Sequence, residues 1–145
     1  MASSSFGLTR GLRAFEGILL SFPIALFTSA VLTDIAYLKT AEVQWTNFSS
    51  WLISGALVFG GIAAAWALVS LVLGLRGPQR NTRTIYFGVL AVTWVLGLIN
   101  AFKHSQDAWS SVGAFGLILS ILCSLLALTA GVLAFSGLNA REIVR

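Results

Sequence analysis

Long apolar stretches without a charged residue alternate with short polar segments along the chain. The uncharged stretches cover 17–33, 43–75, 84–102 and 108–140. A hydrocarbon core of about 30 Å needs roughly 20 apolar residues in an α-helix. The stretches are continuously apolar, whereas the strands of a membrane barrel alternate over about ten residues. We therefore predict four transmembrane helices, over about 17–38, 50–75, 84–102 and 111–136.

Polar clusters at the start of the second and fourth stretches limit each stretch to one helix. The clusters are 44–50 and 108–111, and we interpret the serine pairs Ser49-Ser50 and Ser110-Ser111 as helix caps. Short links, such as the turn at Gly77-Pro78, favour antiparallel neighbours. The predicted fold is an all-α integral membrane protein, an up-down bundle of four transmembrane helices. The predicted organisation is an N-terminal segment 1–16, a transmembrane domain 17–138 and a tail 139–145.

The composition supports lipid as the solvent. Hydrophobic residues make up 57% of the chain and charged residues only 10%, with a mean hydropathy of +0.90. A soluble domain carries about 25% charged residues, so a typical soluble enzyme is excluded. A single cysteine excludes a disulfide scaffold.

The distribution of lysine and arginine predicts the orientation. Seven arginines fall on the side that holds both termini and the 76–83 link, and the two lysines fall on the other side. Under the positive-inside rule, both termini face the cytoplasm of a bacterial inner membrane. The net charge of +4 follows from this topology, and the scattered arginines do not indicate nucleic-acid binding. A secretory signal cleaved near Ala30 is the alternative interpretation of the first stretch.

Small residues recur at steps of three and four on three of the helices. They are Gly113, Gly116, Ser120, Ser124, Ala127 and Gly131 on the fourth helix, Ala56, Gly60, Ala63 and Ala67 on the second, and Thr93, Gly97 and Ala101 on the third. Such faces let helix backbones approach closely in lipid. They predict either packing within one chain or docking of another membrane subunit.

Residues that could hold a cofactor are few. His104 is the only histidine and follows the third helix, so it is either an interfacial side chain or a single ligand to a haem or pigment shared with another subunit. Cys123 lies among leucines and is interpreted as an inert apolar filler. No cluster with metal-ligand spacing occurs. We predict no cofactor of the chain's own and no catalysis.

Asp34 ends the first span at the outer membrane boundary, where an ionisable residue suggests function. It either accepts hydrogen bonds from a neighbouring backbone end, from Lys39 or Lys103, or from a tryptophan indole, or it belongs to a shallow outer site for a partner or a quinone head group. Asn100, Glu42 and Asp107 would complete that site. Trp66 and Trp94 lie deep in their spans, and each indole needs a hydrogen-bond partner in this chain or a neighbouring subunit.

One segment resembles a known family. Phe22-Pro23-Ile24-Ala25-Leu26, followed by Asp34, is similar to the start of a bacterial four-helix membrane family of unknown function, domain-of-unknown-function family twenty-two thirty-one. The tail Glu142-Ile143-Val144 is similar to the end of that family. The resemblance covers roughly 15–145 and implies a four-span scaffold that often occurs beside redox proteins.

The chain departs from the family where the family carries histidines. Glu16 and Gly17 replace a His-Pro pair, and Ser21 replaces a second histidine. A haem or metal role for those histidines therefore does not transfer to this chain.

Together these features favour an accessory subunit of a larger membrane redox or photosynthetic complex. Its partners would be lipid and other integral membrane subunits, with pigment or quinone at the subunit boundaries. The alternatives are a small oligomeric channel or carrier and a haem- or quinone-binding redox protein. A carrier needs polar groups near the membrane midplane, and the spans place no charged residue there.

Overall fold

The fold comes from a computed structural model that describes residues 2–106 and 113–139, with side chains over 11–106 and 113–136. The described residues form four helices. These are α1 (Ala2–Thr40), α2 (Val43–Leu73), α3 (Arg80–His104) and α4 (Ala114–Asn139). The segments long and apolar enough to cross a membrane are Gly11–Thr40, Val43–Leu73, Arg80–His104 and Ala114–Ser136. The predicted all-helical protein with four membrane-spanning helices is confirmed.

The helices form a square in which each packs against two neighbours. α1 and α3 each contact α2 and α4, and the backbones of diagonal partners are not in contact over the described ranges. We call the end where α1 stops and α2 begins the distal end. The opposite end, where α2 stops and α3 begins, is the basic end, because Arg76, Arg80 and Arg83 lie there.

The distal helix boundaries differ from the predicted ones. α2 begins at Val43 rather than near residue 50, and α3 continues to His104 rather than ending near residue 102. The link between α1 and α2 is only Ala41 and Glu42, with Ala41 in the left-handed region at a φ of 57°. Polar residues remain helical here because the ends of a membrane helix lie in the hydrated boundary.

The predicted serine cap on α2 is wrong. Ser49 lies inside the helix and is fully buried, while the N-cap position is Glu42, whose side chain makes no capping hydrogen bond. The Ser49 hydroxyl instead donates to a carboxylate on another helix, as described below. The second predicted cap, Ser110-Ser111, lies outside the described residues.

Small residues let the helices approach closely within the chain. Gly116, Ser120, Ser124, Ala127 and Gly131 of α4 are buried, as are Ala56, Ala63 and Ala67 of α2 and Thr93 and Gly97 of α3; Gly60 is half-buried and Gly113 is exposed. A Cβ atom added at Gly97 would lie 3.0 Å from both Leu57 and Phe27. The small faces are therefore occupied by the chain's own helices, and a partner would have to bind a different surface.

The interior is layered along the bundle axis. A cluster of buried apolar residues, Phe27, Ala30, Ile53, Ala56, Cys123 and Ala127, fills the distal half. A second cluster, Leu20, Ala63, Ala67, Tyr86, Leu90 and Ala130, fills the basic half. We call these two clusters the apolar wall, since they separate polar groups at the two ends of the bundle.

Candidate functional site

A buried carboxylate lies near the distal end of the bundle. Asp34 precedes the end of α1 by six residues, and Ser49 follows the start of α2 by six. At about 1.5 Å per residue, both lie about 9 Å inside the helix ends. Asn100 and His104 occupy the last turn of α3, and Ser120 lies at a similar depth in α4. Helical geometry thus brings polar residues from all four helices to one level.

Asp34 bonds to each of the other three helices. Its Oδ1 atom accepts from the Ser49 hydroxyl at 2.5 Å and lies 2.9 Å from Nε2 of His104. Its Oδ2 atom accepts from the Ser120 hydroxyl at 2.6 Å. One side chain therefore joins α1 to both neighbours and, across the diagonal, to α3.

His104 uses both ring nitrogens in this arrangement. Nδ1 lies 2.9 Å from the carbonyl oxygen of Asn100, and a carbonyl can only accept, so Nδ1 carries a hydrogen. The contact between Nε2 and Oδ1 of Asp34 then needs one hydrogen, held by either atom. In both cases the pair is neutral overall, which is the condition for burying two ionisable groups in a low-dielectric interior.

The hydrogen-bond network extends beyond the pair. Ser120 gives its one hydrogen to Asp34, so it accepts from Nδ2 of Asn100 at 2.9 Å. This fixes the Asn100 amide, and its Oδ1 atom is left buried without a partner among the described residues. On the other side, the Thr33 hydroxyl lies 2.6 Å from that of Ser49. We call Thr33, Asp34, Ser49, Asn100, His104 and Ser120 the distal polar cluster.

The cluster is sealed from the surface except at Thr33, which is partly exposed. Asp34, Ser49, Asn100 and Ser120 are each 0% exposed, and His104 is 4% exposed. Breaking such a pair by removing one partner costs about 3–5 kcal/mol, since it leaves an uncompensated buried group. The cluster therefore acts first as a polar cross-link that ties the four helices together.

The structure brings together residues that the sequence analysis treats separately. Asp34 and Asn100, predicted as a shallow outer group, lie in one buried cluster. His104 is not in a loop but is the last residue of α3 and points inward. A haem or pigment would have to displace Asp34 or the Asn100 carbonyl to reach a ring nitrogen of His104.

Several predicted partners of Asp34 lie elsewhere. Lys39 is exposed, Lys103 bonds to Gln106 at 2.9 Å, and the Trp94 indole donates to the carbonyl of Leu57 at 3.1 Å. Trp66 stacks edge-on against Phe15 at 6.4 Å. The side chain that faces Asp34 from α3 is thus His104 and not a lysine.

The distal polar cluster also contains residues that sequence reasoning missed. Ser49 is interpreted there as a cap and Thr33 is not singled out. The available signal was depth, since Ser49 and Ser120 each lie six residues inside the distal end of a helix, level with Asp34. Among the described residues, no group of three or more His, Cys, Asp or Glu side chains could hold a metal ion.

Comparison with models of protein families identifies the family of this chain. A family model described as a predicted membrane protein, DUF2231, matches residues 17–140. The chain belongs to this family. The match confirms the resemblance that rests on Phe22–Leu26, and the DUF2231 family has no assigned function. Comparisons with curated proteins and with solved structures give no match.

Proposed function

We propose that this DUF2231 protein is an accessory subunit of a larger membrane complex, without catalysis of its own. One observation carries the proposal. Asp34 and His104, the ionisable pair buried among all four helices, bond to their own chain and are sealed from lipid and water. Groups in this state support assembly of the bundle and offer no open site to a substrate.

The layering of the interior argues against a carrier within one chain. A transport path would have to connect the distal polar cluster with the basic end. The apolar wall lies between them, and its central residues Phe27, Ile53 and Leu20 are 0–1% exposed. Charged and polar groups of transporters lie near the midplane. In the described part of this chain, the charged groups lie toward the two ends of the bundle instead.

The geometry of His104 argues against haem binding by this chain. Both ring nitrogens are engaged by protein oxygens at 2.9 Å. An axial ligand needs a free nitrogen. The proposal that the partner is a redox or photosynthetic complex in a bacterial inner membrane, with the basic end in the cytoplasm, draws on the family resemblance and the positive-inside rule.

The outward face of α2 is the surface that we propose for the partner. Ser54, Val58, Ala65, Leu68 and Val72 are exposed at helical spacing, and we call them the α2 outer face. The most apolar window of α2 is only 17% buried, against 39% for that of α4. The small side chains of Ser54 and Ala65 permit the close helix approach that drives association in lipid.

Photo-crosslinking in native membranes tests this proposal. A photoreactive residue is placed at Val58 or Leu68 on the α2 outer face, and at Leu125 or Val132 on the outward face of α4 as matched controls. All four positions are exposed in the isolated chain. We expect one discrete protein adduct from the α2 positions and lipid adducts from the α4 positions.

Two outcomes would contradict the proposal. Lipid adducts alone from both faces would show that α2 has no protein neighbour. An adduct with the mass of two 15.4 kDa chains would indicate self-association instead of an accessory role. An absorbance spectrum of the crosslinked complex then reports whether the partner carries pigment or haem.

A further inference from the structure

A cavity of about 210 Å³ opens between the helices at the basic end. Its polar lining includes Arg13 and Glu16 of α1 and Arg83 and Tyr86 of α3. Its apolar lining comes from Ala67 of α2 and from Leu133, Ala134 and Phe135 of α4. All of these residues lie within about two turns of the basic-end limits of the membrane-spanning segments, which are Gly11, Leu73, Arg80 and Ser136. The cavity is therefore near the depth of lipid head groups.

The hydroxyl of Tyr86 is the first sign that the cavity takes a ligand. Tyr86 is only 9% exposed, and its hydroxyl has no hydrogen-bond partner of acceptable geometry within the described part of the chain. The Glu16 carboxylate lies beside it. Buried polar atoms are almost always paired, so this hydroxyl bonds either to the neighbouring Glu16 carboxylate or to a group in the cavity.

The charges around the cavity specify the ligand further. Arg83 donates one hydrogen bond, from Nη1 to the carbonyl of Ser70 at 2.7 Å, and keeps its other donors. Among the described residues, Glu16 forms no ion pair with Arg13 or Arg83. The lining thus presents two cations and one anion, and no ion pair joins them within the described residues.

We propose that this cavity binds the head group of a phospholipid that carries a primary ammonium. Arg13 and Arg83 hold the phosphate, for which the guanidinium fork is well suited. Glu16 accepts from the ammonium, and the Tyr86 hydroxyl donates to a phosphate oxygen. The glycerol and the first methylenes lie against Leu133 and Phe135. Basic pockets between membrane helices are established head-group sites.

Alternative head groups fit the lining less well. A phosphate alone leaves Glu16 beside an anion without a cation to match it. A choline head group has a positive charge but no N–H to donate to Glu16. A phosphoglycerol head group lacks the positive charge. The proposed site is independent of the accessory role and holds for an isolated chain.

Lipid retention measured by native mass spectrometry tests the site. The purified protein is titrated with phosphatidylethanolamine, phosphatidylcholine and phosphatidylglycerol, each as the only added lipid. We expect phosphatidylethanolamine to bind tightest. Arg13→Gln should weaken its binding about tenfold, the effect of one charge-assisted hydrogen bond. Arg76→Gln, which removes an exposed arginine at the same end, should leave binding unchanged.

Two further variants assign the remaining contacts. Glu16→Gln should abolish the preference for phosphatidylethanolamine over phosphatidylcholine, and Tyr86→Phe should weaken both lipids because it removes only the hydroxyl. If Arg13→Gln does not yield folded protein, Arg13→Lys replaces it, since lysine keeps the charge but loses the fork. Equal loss with Arg13→Gln and Arg76→Gln would overturn the site in favour of general surface charge.

Inorganic phosphate is the probe for a free anion. We expect equimolar phosphate to leave the bound lipid in place, because the apolar lining contributes to lipid binding alone. Displacement by phosphate would overturn the lipid assignment and indicate a site for a soluble phosphate. Equal binding of all three lipids would overturn the role of Glu16 in recognising the ammonium.

Discussion

The two ends of the bundle treat charge in opposite ways. At the distal end, Asp34 and His104 face each other at 2.9 Å, and serine hydroxyls from α2 and α4 donate hydrogen bonds to the carboxylate. At the basic end, Arg13, Arg83 and Glu16 surround a cavity without an ion pair between them in the described chain. One end is neutral and closed, and the other is charged and open.

The difference shows that depth and burial determine whether a charged residue pairs within the protein or remains open to a ligand. A fully buried ionisable group in the membrane must find its partner within the protein, because water cannot solvate it. A charged group at the head-group level can be matched by lipid instead. The distal polar cluster therefore serves the fold, and we assign the basic cavity to a ligand.

The largest expected effect comes from breaking the pair of Asp34 and His104. Asp34→Ala leaves His104 and two hydroxyls without their acceptor, so we expect the free energy of unfolding to fall by about 3–5 kcal/mol. Glu16→Ala, at the basic end, should change it by about 0.5 kcal/mol. Reversible unfolding in mixed micelles measures both. Equal losses for the two variants would show that the ends do not differ as described.

A smaller effect follows from shortening the distal network. Ser120→Ala removes the donor to Oδ2 of Asp34 and the acceptor of the Asn100 amide, so we expect a loss of about 1–3 kcal/mol. Ser124→Ala is the control one turn away on α4. Its partner Thr28 is exposed and already bonds to the carbonyl of Ile24, so the loss should be about 0.5 kcal/mol. Similar losses would contradict a special role for the cluster.

Two glycines of α3 test the apolar wall between the ends. A Cβ atom at Gly97 would lie 3.0 Å from Leu57 and Phe27, so we expect Gly97→Ala to destabilise the bundle by about 1–3 kcal/mol. A Cβ atom at Gly88 meets nothing within 4 Å. Gly88→Ala should therefore stabilise the same helix by about 0.5–1 kcal/mol. We measure the free energy of unfolding of both variants and expect changes of opposite sign.

The smallest effect concerns the basic end. A Cβ atom at Gly74 would clash with Nη1 of Arg83, so Gly74→Ala must move the guanidinium away from the Ser70 carbonyl. We expect a loss of about 0.5–1.5 kcal/mol in stability, the value of one hydrogen bond. The retention of phosphatidylethanolamine should also change, because Arg83 lines the cavity. Unaltered retention would mean that the position of Arg83 does not matter to the cavity.

The architecture could be predicted from the sequence because hydrophobicity is additive along a helix. Uncharged stretches of sufficient length place four helices without knowledge of their contacts. The boundaries near Val43 and His104 were missed since polar residues at the membrane surface look like loops while remaining helical.

The distal polar cluster could be predicted only in part. Asp34 and Asn100 attract notice because they are polar in apolar surroundings. Ser49 and Ser120 do not, since a serine in a membrane helix also fits a cap or a small packing residue. Their partner is 15 and 86 residues away in the chain, so the contact depends on tertiary register. At the basic end, the positive-inside rule already accounts for the arginines, so the sequence gives no separate sign of the cavity that they line.

The short link between α1 and α2 has a consequence for how this chain tolerates change. Asp34 lies seven residues before Ala41, and Ser49 lies eight residues after it. Each is about two helical turns from the bend, so the length of the link determines that the carboxylate and the hydroxyl meet. One inserted residue next to Ala41 would rotate one helix by about 100° relative to the other. Insertions should therefore cost more at this hairpin than at Gly77-Pro78, where the long side chain of Arg83 makes the contact across the link, to the carbonyl of Ser70.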